Sequence, residues 1–384
     1  MRILIGCQEL ANNLNRIKAA LSTNPEHVVE TFCVYTQPFY RCKRYDHEYP
    51  LPTRHPNWLV DLSWHIFYKL SIYTFFFRAL FNYDAFVYVA ARTYLPFYID
   101  LAILKLLRKK VVVMHCGSEV RYPPIHTEIE QEVWDFNTKS LFLNDNQSYN
   151  FFKSFWNQRV PEIFGVPIIS MRNQATFQKK PFYFLQAIQE PLIESPSLVK
   201  RPGKITIVHA PTKRIIKGTE GVIRVVDKLR EHGYVFNFEL IEKKPHSFVM
   251  ERLKQADILI DQRFTYMAGI STEGISAGCC VITGIRKEYE GVQHEIPILS
   301  AHTDDELEHH LRELLDDREY LFQKKLDCYR YYQEFNSLKA GCDYFESVLN
   351  GTNTNIVNPV PKAKELLLKY CKNANHRRWI KLFY

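Results

Sequence analysis

Short apolar runs alternate along this chain with amphipathic stretches of helical length. One set of runs lies at 2–6, 27–35, 84–90, 110–115 and 140–144, and a second at 205–210, 237–242, 257–261, 280–284 and 296–299. The runs are largely continuous rather than alternating, which predicts strands covered on both faces. Strands of that kind, separated by helices, make parallel sheets. The two sets are parted near 190–204 by EPLIESPSLVKRPGK, rich in Pro, Ser and Lys, which reads as a linker. The expected fold class is therefore α/β, with two domains of similar size at 1–195 and 204–350, each built on a parallel sheet. Beyond 350 the chain leaves this pattern and ends in a basic helix at about 360–384. Thr303-Asp304-Asp305-Glu306 reads as a capping box opening a helix over 304–315.

Composition narrows the chemistry. The 384 residues carry 50 Lys+Arg and 42 Asp+Glu, a formal net charge of +8, with 46% hydrophobic residues. That is an ordinary folded composition, long enough for two cores. Acidic residues are interspersed among the basic ones, so no nucleic-acid partner is expected. Glycine is scarce at 14, and neither G-x-G nor G-x-x-x-x-G-K-[ST] occurs. A glycine-cradled dinucleotide or Walker site is thereby excluded. Any phosphorylated ligand has to be held by cations and helix ends instead. Nine cysteines, an odd number without a C-x-x-C, argue against a zinc ribbon, a redox motif or a secreted disulfide framework. Residues 2–6 (RILIG) read as a buried strand rather than a signal peptide, so a cytoplasmic location is expected.

One segment qualifies that location. Trp64–Phe81 (WHIFYKLSIYTFFFRALF) is strongly aromatic, but Lys69 and Arg78 interrupt it. A bilayer span takes about 20 predominantly apolar residues, so this is not one. It reads either as a helix packed on a sheet or as a monotopic face that dips into a membrane interface. The C-terminal KNANHRRWIKLFY suits the same peripheral contact, and a solvated terminal helix explains it equally well.

Three stretches carry candidate chemistry. In 205–233 (ITIVHAPTKRIIKGTEGVIRVVDKLREHG) a strand runs out at His209. A polar loop with Thr212, Lys213, Arg214, Lys217 and Gly218 follows, and Thr219 and Glu220 open a helix. Three cations thus converge on a strand-to-helix loop at the carboxyl edge of a parallel sheet, where open α/β sheets bind ligands. The helix N-terminus adds exposed N–H groups and partial positive charge, a combination suited to a diphosphate. In 257–284 (DILIDQRFTYMAGISTEGISAGCCVITG) a strand leads through a loop to Glu273, placed at a helix start, where its carboxylate can accept from two neighbouring hydroxyls, as on a ribose. A capping role for Glu273 in the helix dipole is the plainer alternative. The same stretch holds a G-x-S-x-G around Ser276. A nucleophile elbow needs a strand before the serine and a helix after it, and here the order is reversed. In 110–124 (KVVVMHCGSEVRYPP) a strand ends at His115, followed by Glu119 and Arg121. Arg92 follows the neighbouring strand in the same way, which points to a polar cleft.

In this order the stretches resemble GT-B glycosyltransferases of the family 4 type. HAPTKRIIKGTE looks like that family's diphosphate-gripping strand–loop–helix, and GISTEGISAGCCVITG like its G-x-x-x-E-A-M-A-x-G-x-P-V-I segment. FNYDAFVYVAARTYLPFYIDLAILKLLRKKVVVMHCGSEVR is similar to the N-terminal acceptor-domain pattern. The resemblance implies two Rossmann-like domains with a cleft between them, an N-terminal acceptor domain, a C-terminal nucleotide-sugar domain and a terminal helix crossing back to the first. It implies a retaining transferase acting on a nucleotide-diphosphate sugar and a glycan or lipid-linked acceptor, with no metal and no further cofactor. Lys217 and Arg214, with Lys213, fall on the phosphates, Glu273 on the donor ribose and His115 at the family's strand-end histidine. Thr212 and Gly218 complete the donor loop. Met267, Ala268, Gly269, Ile270 and Ser271 would offer N–H groups to the sugar, and Ile241 and Glu242 are candidates for the base. Arg92, Glu119 and Arg121 fall on the acceptor side. The sequence departs from the family at Thr265, where the first Glu of E-x7-E is expected, at Gly274 for Ala, at Cys280 for Pro, and in the first βα loop, which lacks Gly-Gly. Thr265 motivates a second reading, a non-catalytic GT-B scaffold or nucleotide-sugar-binding subunit; a serine hydrolase using Ser276 is a third.

Overall fold

The computed structural model describes the chain except residues 36–43, 136–138, 140–148, 195–202, 264–266 and 268. The expected strand 140–144 and residues Thr265 and Ala268 lie outside the described residues. Two compact units form. The first is built from Met1–Asn137, Asn146–Leu185 and Gly341–Tyr384, the second chiefly from Gln186–Ala340.

The strands run in chain order as β1 (Arg2–Gly6), β2 (Val28–Cys33), β3 (His47–Glu48), β4 (Ala85–Val89), β5 (Lys110–Met114), β6 (Ile168–Ser170) and β7 (Phe182–Phe184). The second unit contributes β8 (Thr206–His209), β9 (Asn237–Leu240), β10 (Ile258–Ile260), β11 (Cys280–Thr283) and β12 (Leu299–Ser300), and β13 (Ile356–Val357) closes the series.

The first sheet is ordered β13-β7-β6-β5-β4-β1-β2-β3 and is parallel except where β13 runs antiparallel to β7. The second, β12-β11-β10-β8-β9, is parallel throughout. Both are doubly wound, so each has a place where strand order reverses and adjacent connections leave on opposite faces. That crevice lies between β1 and β4 in the first sheet and between β8 and β10 in the second. The continuous apolar runs behave as their pattern requires. Every residue of β4, β10 and β11 is buried, because helices cover both faces. The first core gathers Leu4, Phe32, Phe76, Phe86 and Leu101; the second gathers Ile207, Val226, Ile258 and Leu311 on one face and Leu259, Ile275 and Val281 on the other.

Several elements were not in the periodicity. β6, β7 and β13 are too short to show a period, and β13 draws the tail beyond 350 into the first sheet. The expected strand 296–299 is reduced to β12. Residues 341–350, expected with the second domain, group with the first unit. There too belong the terminal helices Ala363–Tyr370 and Ala374–Phe383, whose Leu367 and Ile380 pack with Ile129, Phe155 and Phe177. The capping box forms as read and opens the helix Asp304–Asp316.

The aromatic segment is the helix Trp58–Asn82, capped by the Asn57 side chain, which accepts from Leu59 N at 2.9 Å. Only its C-terminal half packs on the sheet, through Ile72, Phe76, Ala79 and Leu80. Trp58 (70% exposed), Phe67 (68%) and Phe81 (90%) stay in solvent. No helix among the described residues is long and apolar enough to cross a membrane. The eight described cysteines are free thiols.

Candidate functional site

The second unit's switch point is assembled from the ends of β8 and β10. At the end of β8, His209 Nδ1 lies 2.8 Å from Ile260 O, a carbonyl that can only accept, so Nδ1 carries the proton. Nε2 then accepts from the Thr219 hydroxyl at 2.9 Å. Burial pushes the ring down to about 4, so it stays neutral and staples β8, β10 and the helix Thr219–Glu231 together. Ahead of that helix, Gly218 sits at φ +68, a conformation that favours glycine and lets the short helix Arg214–Lys217 turn directly into the longer one.

Lys217 closes the short helix and is turned inward. Its ammonium pairs with Asp261, the residue after β10, and the side chains are 9% and 1% exposed. The other Asp261 oxygen accepts from Ser271 Oγ at 2.5 Å. A line Lys217–Asp261–Ser271 therefore crosses the switch point, and each ion is compensated, as buried charge requires. Asp261 was missed in the sequence. The signal was available: an acidic residue directly following an ILI strand at the edge where the cations converge. Arg214 takes the outer position, its guanidinium bonded to Glu220 (2.8 Å) and Glu242 (2.9 Å). Lys213 precedes the short helix, and Thr212 is exposed beside it.

Glu273 lies in the middle of the helix Gly269–Ser276 rather than at its start, and is nearly buried. Its Oε1 lies 2.9 Å from Nε2 of His246, the first residue of the helix His246–Leu253. Gly269, Ile270 and Ser271 form the first turn of Glu273's helix, where backbone N–H groups have no intrahelical acceptor. Gly274, in place of the family's Ala, has a steric cause: a Cβ there would stand 2.4 Å from Leu259 Cδ2. Met267 is half-buried, and its backbone N–H is accepted by the buried carboxyl of Glu290, which burial pushes up to about 8. Glu290 was also missed; nothing in KEYEG distinguishes it from its neighbour Glu288.

Other expectations are changed by packing. Ile241 buries its side chain in the core, so it presents no side chain to a base. Glu242 faces Arg214. Ser276 is fully buried and donates to Glu273 O at 2.8 Å, with the helix before it and β11 after it, so no nucleophile elbow forms. Two groups, His27–Cys342–Glu346 and His309–His310–Glu313, bring ligand-type atoms within 4.8 Å of one another, and neither includes a residue of the switch point.

In the first unit the β1/β4 switch point opens into a cavity of about 690 Å³. Residues directly following β1 (Cys7, Gln8) and β4 (Ala90–Tyr94) line it, Arg92 among them, together with Glu119 and Asn157. Glu119 is turned back on its own loop, where its Oε1 accepts from Cys116 N, and burial pushes its carboxyl up. His115 is fully buried, 3.1 Å from Ser170 Oγ, and driven down to about 4 by burial; its ring offers no surface to a ligand. Arg121 is buried as well, and its carbonyl accepts from Ser154 Oγ at 2.9 Å. Of the three residues expected on the acceptor side, Arg92 and Glu119 reach the cavity and Arg121 does not.

The sequence matches no protein-family model and no curated protein. Solved structures do match. A glycosyltransferase from Rickettsia africae is 11% identical, with 92% of this chain and 99% of that one covered at a TM-score of 0.56. Sucrose-phosphate synthase from Thermosynechococcus elongatus is 10% identical, with 91% and 98% covered at 0.55. At such identity the likeness establishes the fold. This chain carries two Rossmann-like α/β units, the GT-B type of fold.

Proposed function

We propose that this chain is a glycosyltransferase that takes its sugar from a nucleotide-diphosphate donor. The observation that carries the reading is Lys217, held by Asp261 at the switch point beside the start of the helix Thr219–Glu231, with Arg214 outside it. An ammonium has three donors, and Asp261 engages one face of it. The remaining donors, the Arg214 guanidinium and the helix N–H groups form a pre-placed cationic cradle for a diphosphate. Glu273, paired with His246, is the carboxylate for the donor ribose.

In the reaction the bond from the sugar's anomeric carbon to the diphosphate breaks, and a bond from the acceptor oxygen forms. The acceptor's proton passes to the departing diphosphate. Negative charge grows on that leaving group, and the cradle stabilises it as it grows. Attack from the face the diphosphate leaves retains the anomeric configuration. The cations already present perform the charge stabilisation, so the reading requires no divalent ion, and activity is expected to persist in a chelator. The likeness to a structure named a glycosyltransferase supports the same class.

A thermal-shift panel of nucleotide sugars, followed by a transfer assay with the donor that binds, tests the reading. The right donor stabilises by mass action, about 2.7 kcal/mol at a hundred times Kd. Arg214→Ala, at an exposed position, is expected to lower kcat by about 100-fold while the melting temperature holds. Donor binding without transfer to any glycan or lipid-linked acceptor would favour a nucleotide-sugar-binding subunit instead. Full activity in both Arg214→Ala and Glu273→Gln would sink the proposal.

A further inference from the structure

We infer that the cavity of the first unit receives the phosphate of a lipid-linked acceptor, with Arg92 as its anion anchor. This deepens the transferase reading and rests on it for the word acceptor.

The cavity sits at the β1/β4 switch point, where a doubly wound sheet concentrates its ligand contacts. Its charge is lopsided. Arg92, Lys69 and Lys153 line it against a single carboxylate, Glu119, which is engaged by its own backbone. Among the described residues, no carboxylate pairs with Arg92. Tyr68 lines the same cavity, and its buried hydroxyl makes no hydrogen bond among those residues. A half-buried guanidinium with no carboxylate partner among the described residues is suited to an oxyanion, to which its fork donates two bonds.

The surroundings select which oxyanion. Tyr68 and Lys69 belong to the helix Trp58–Asn82, whose N-terminal half leaves Trp58, Leu59, Leu62, Ile66, Phe67 and Leu70 exposed. The lining also includes Phe97, itself strongly exposed. A free anionic sugar would leave this apolar surface in water. A lipid phosphate fits both halves, its headgroup in the cationic cavity and its hydrocarbon along the aromatic face.

Sedimentation of the full chain with phosphatidylcholine vesicles, with and without a polyprenyl phosphate, tests this without any donor nucleotide. The parent protein is expected to prefer the polyprenyl-phosphate vesicles. Arg92→Gln is expected to lose that preference by about tenfold or more, and Arg92→Lys to recover part of it. Trp58→Ser with Phe67→Ser is expected to weaken binding to both kinds of vesicle. Equal binding by parent and Arg92→Gln would overturn the inference. So would competition by inorganic phosphate as effective as that by the lipid, which would mark the site as one for free phosphate. Vesicle binding through Arg92 in a protein that transfers no sugar would keep this site and remove the transferase reading instead.

Discussion

Lys217 sets a sharp test because its placement has both a stability and a functional consequence. Lys217→Met removes the ammonium and keeps most of the side-chain volume. Asp261, 1% exposed, then retains the Ser271 hydroxyl as its one side-chain donor among the described residues. Breaking a buried pair from one side costs about 3–5 kcal/mol, because the surviving charge stays desolvated. For a unit of this size each kcal/mol moves Tm by roughly 2–4 °C, so the second unit's transition is expected to fall by about 6–20 °C. Asp261→Asn leaves the ammonium stranded and is expected to cost a similar amount. The double variant leaves no charge buried at this position and is expected to recover most of the loss, so the two single costs, together about 6–10 kcal/mol, are far from additive in the mutant cycle. Differential scanning calorimetry of the four proteins reads this directly. A Lys217→Met protein that melts within about 2 °C of the parent would refute the buried pair. The same arithmetic bears on function. Loss of turnover in Lys217→Met alone does not separate chemistry from folding, whereas turnover measured in the double variant, which folds, does.

Three further outcomes follow from the same geometry. His209 is held below its ordinary value of 6.5, at about 4, so the unfolded chain binds a proton there that the native protein does not. Its contribution to stability is therefore fully present above 6.5 and lost as pH falls toward 4, by about 1.4 kcal/mol per unit, and His209→Gln should remove that contribution in acid melts of the second unit. Glu290 has the opposite sign. Its carboxyl is raised from 4.5 to about 8, so the native state keeps a proton that the unfolded chain releases, and stability declines as pH rises through that window. Glu290→Gln should remove the decline, and a parent whose Tm is flat between pH 6.5 and 8, above the window in which His209 contributes the opposite slope, would contradict the burial of that group. At Gly284 an added Cβ would stand 2.2 Å from Arg263 O, a backbone atom with little room to move. Gly284→Ala is expected to destabilise by about 1–3 kcal/mol in urea unfolding, and a neutral result would mean the strand end is looser than its packing implies.

Much of the fold was legible because buried parallel strands are uniformly apolar, and that property survives in a single sequence. β1, β4, β5, β8, β10 and β11 could be read this way, as could the helix Asp304–Asp316 from its capping box. The position of Lys213, Arg214 and Lys217 at a strand-to-helix loop was equally visible, because it follows from local sequence order. β6, β7 and β13 were not legible: two or three residues show no period, and their pairing comes from neighbours distant in the chain. The same limit hid residues whose meaning lies in a partner. Asp261 is only an acid after a strand until Lys217, 44 positions away, turns toward it. His246 gains a role from Glu273, 27 positions on. The aromatic segment was readable as amphiphilic, but the choice between burial and exposure belonged to the sheet, which covers only the helix's second half. The sequence by itself determined the two α/β sheets and which charged residues stand at their edges, through composition and local pattern. Tertiary structure alone decided which charges are paired, which histidines stay neutral and which arginine is left facing a cavity, because desolvation and pairing depend on neighbours the chain brings together only when folded.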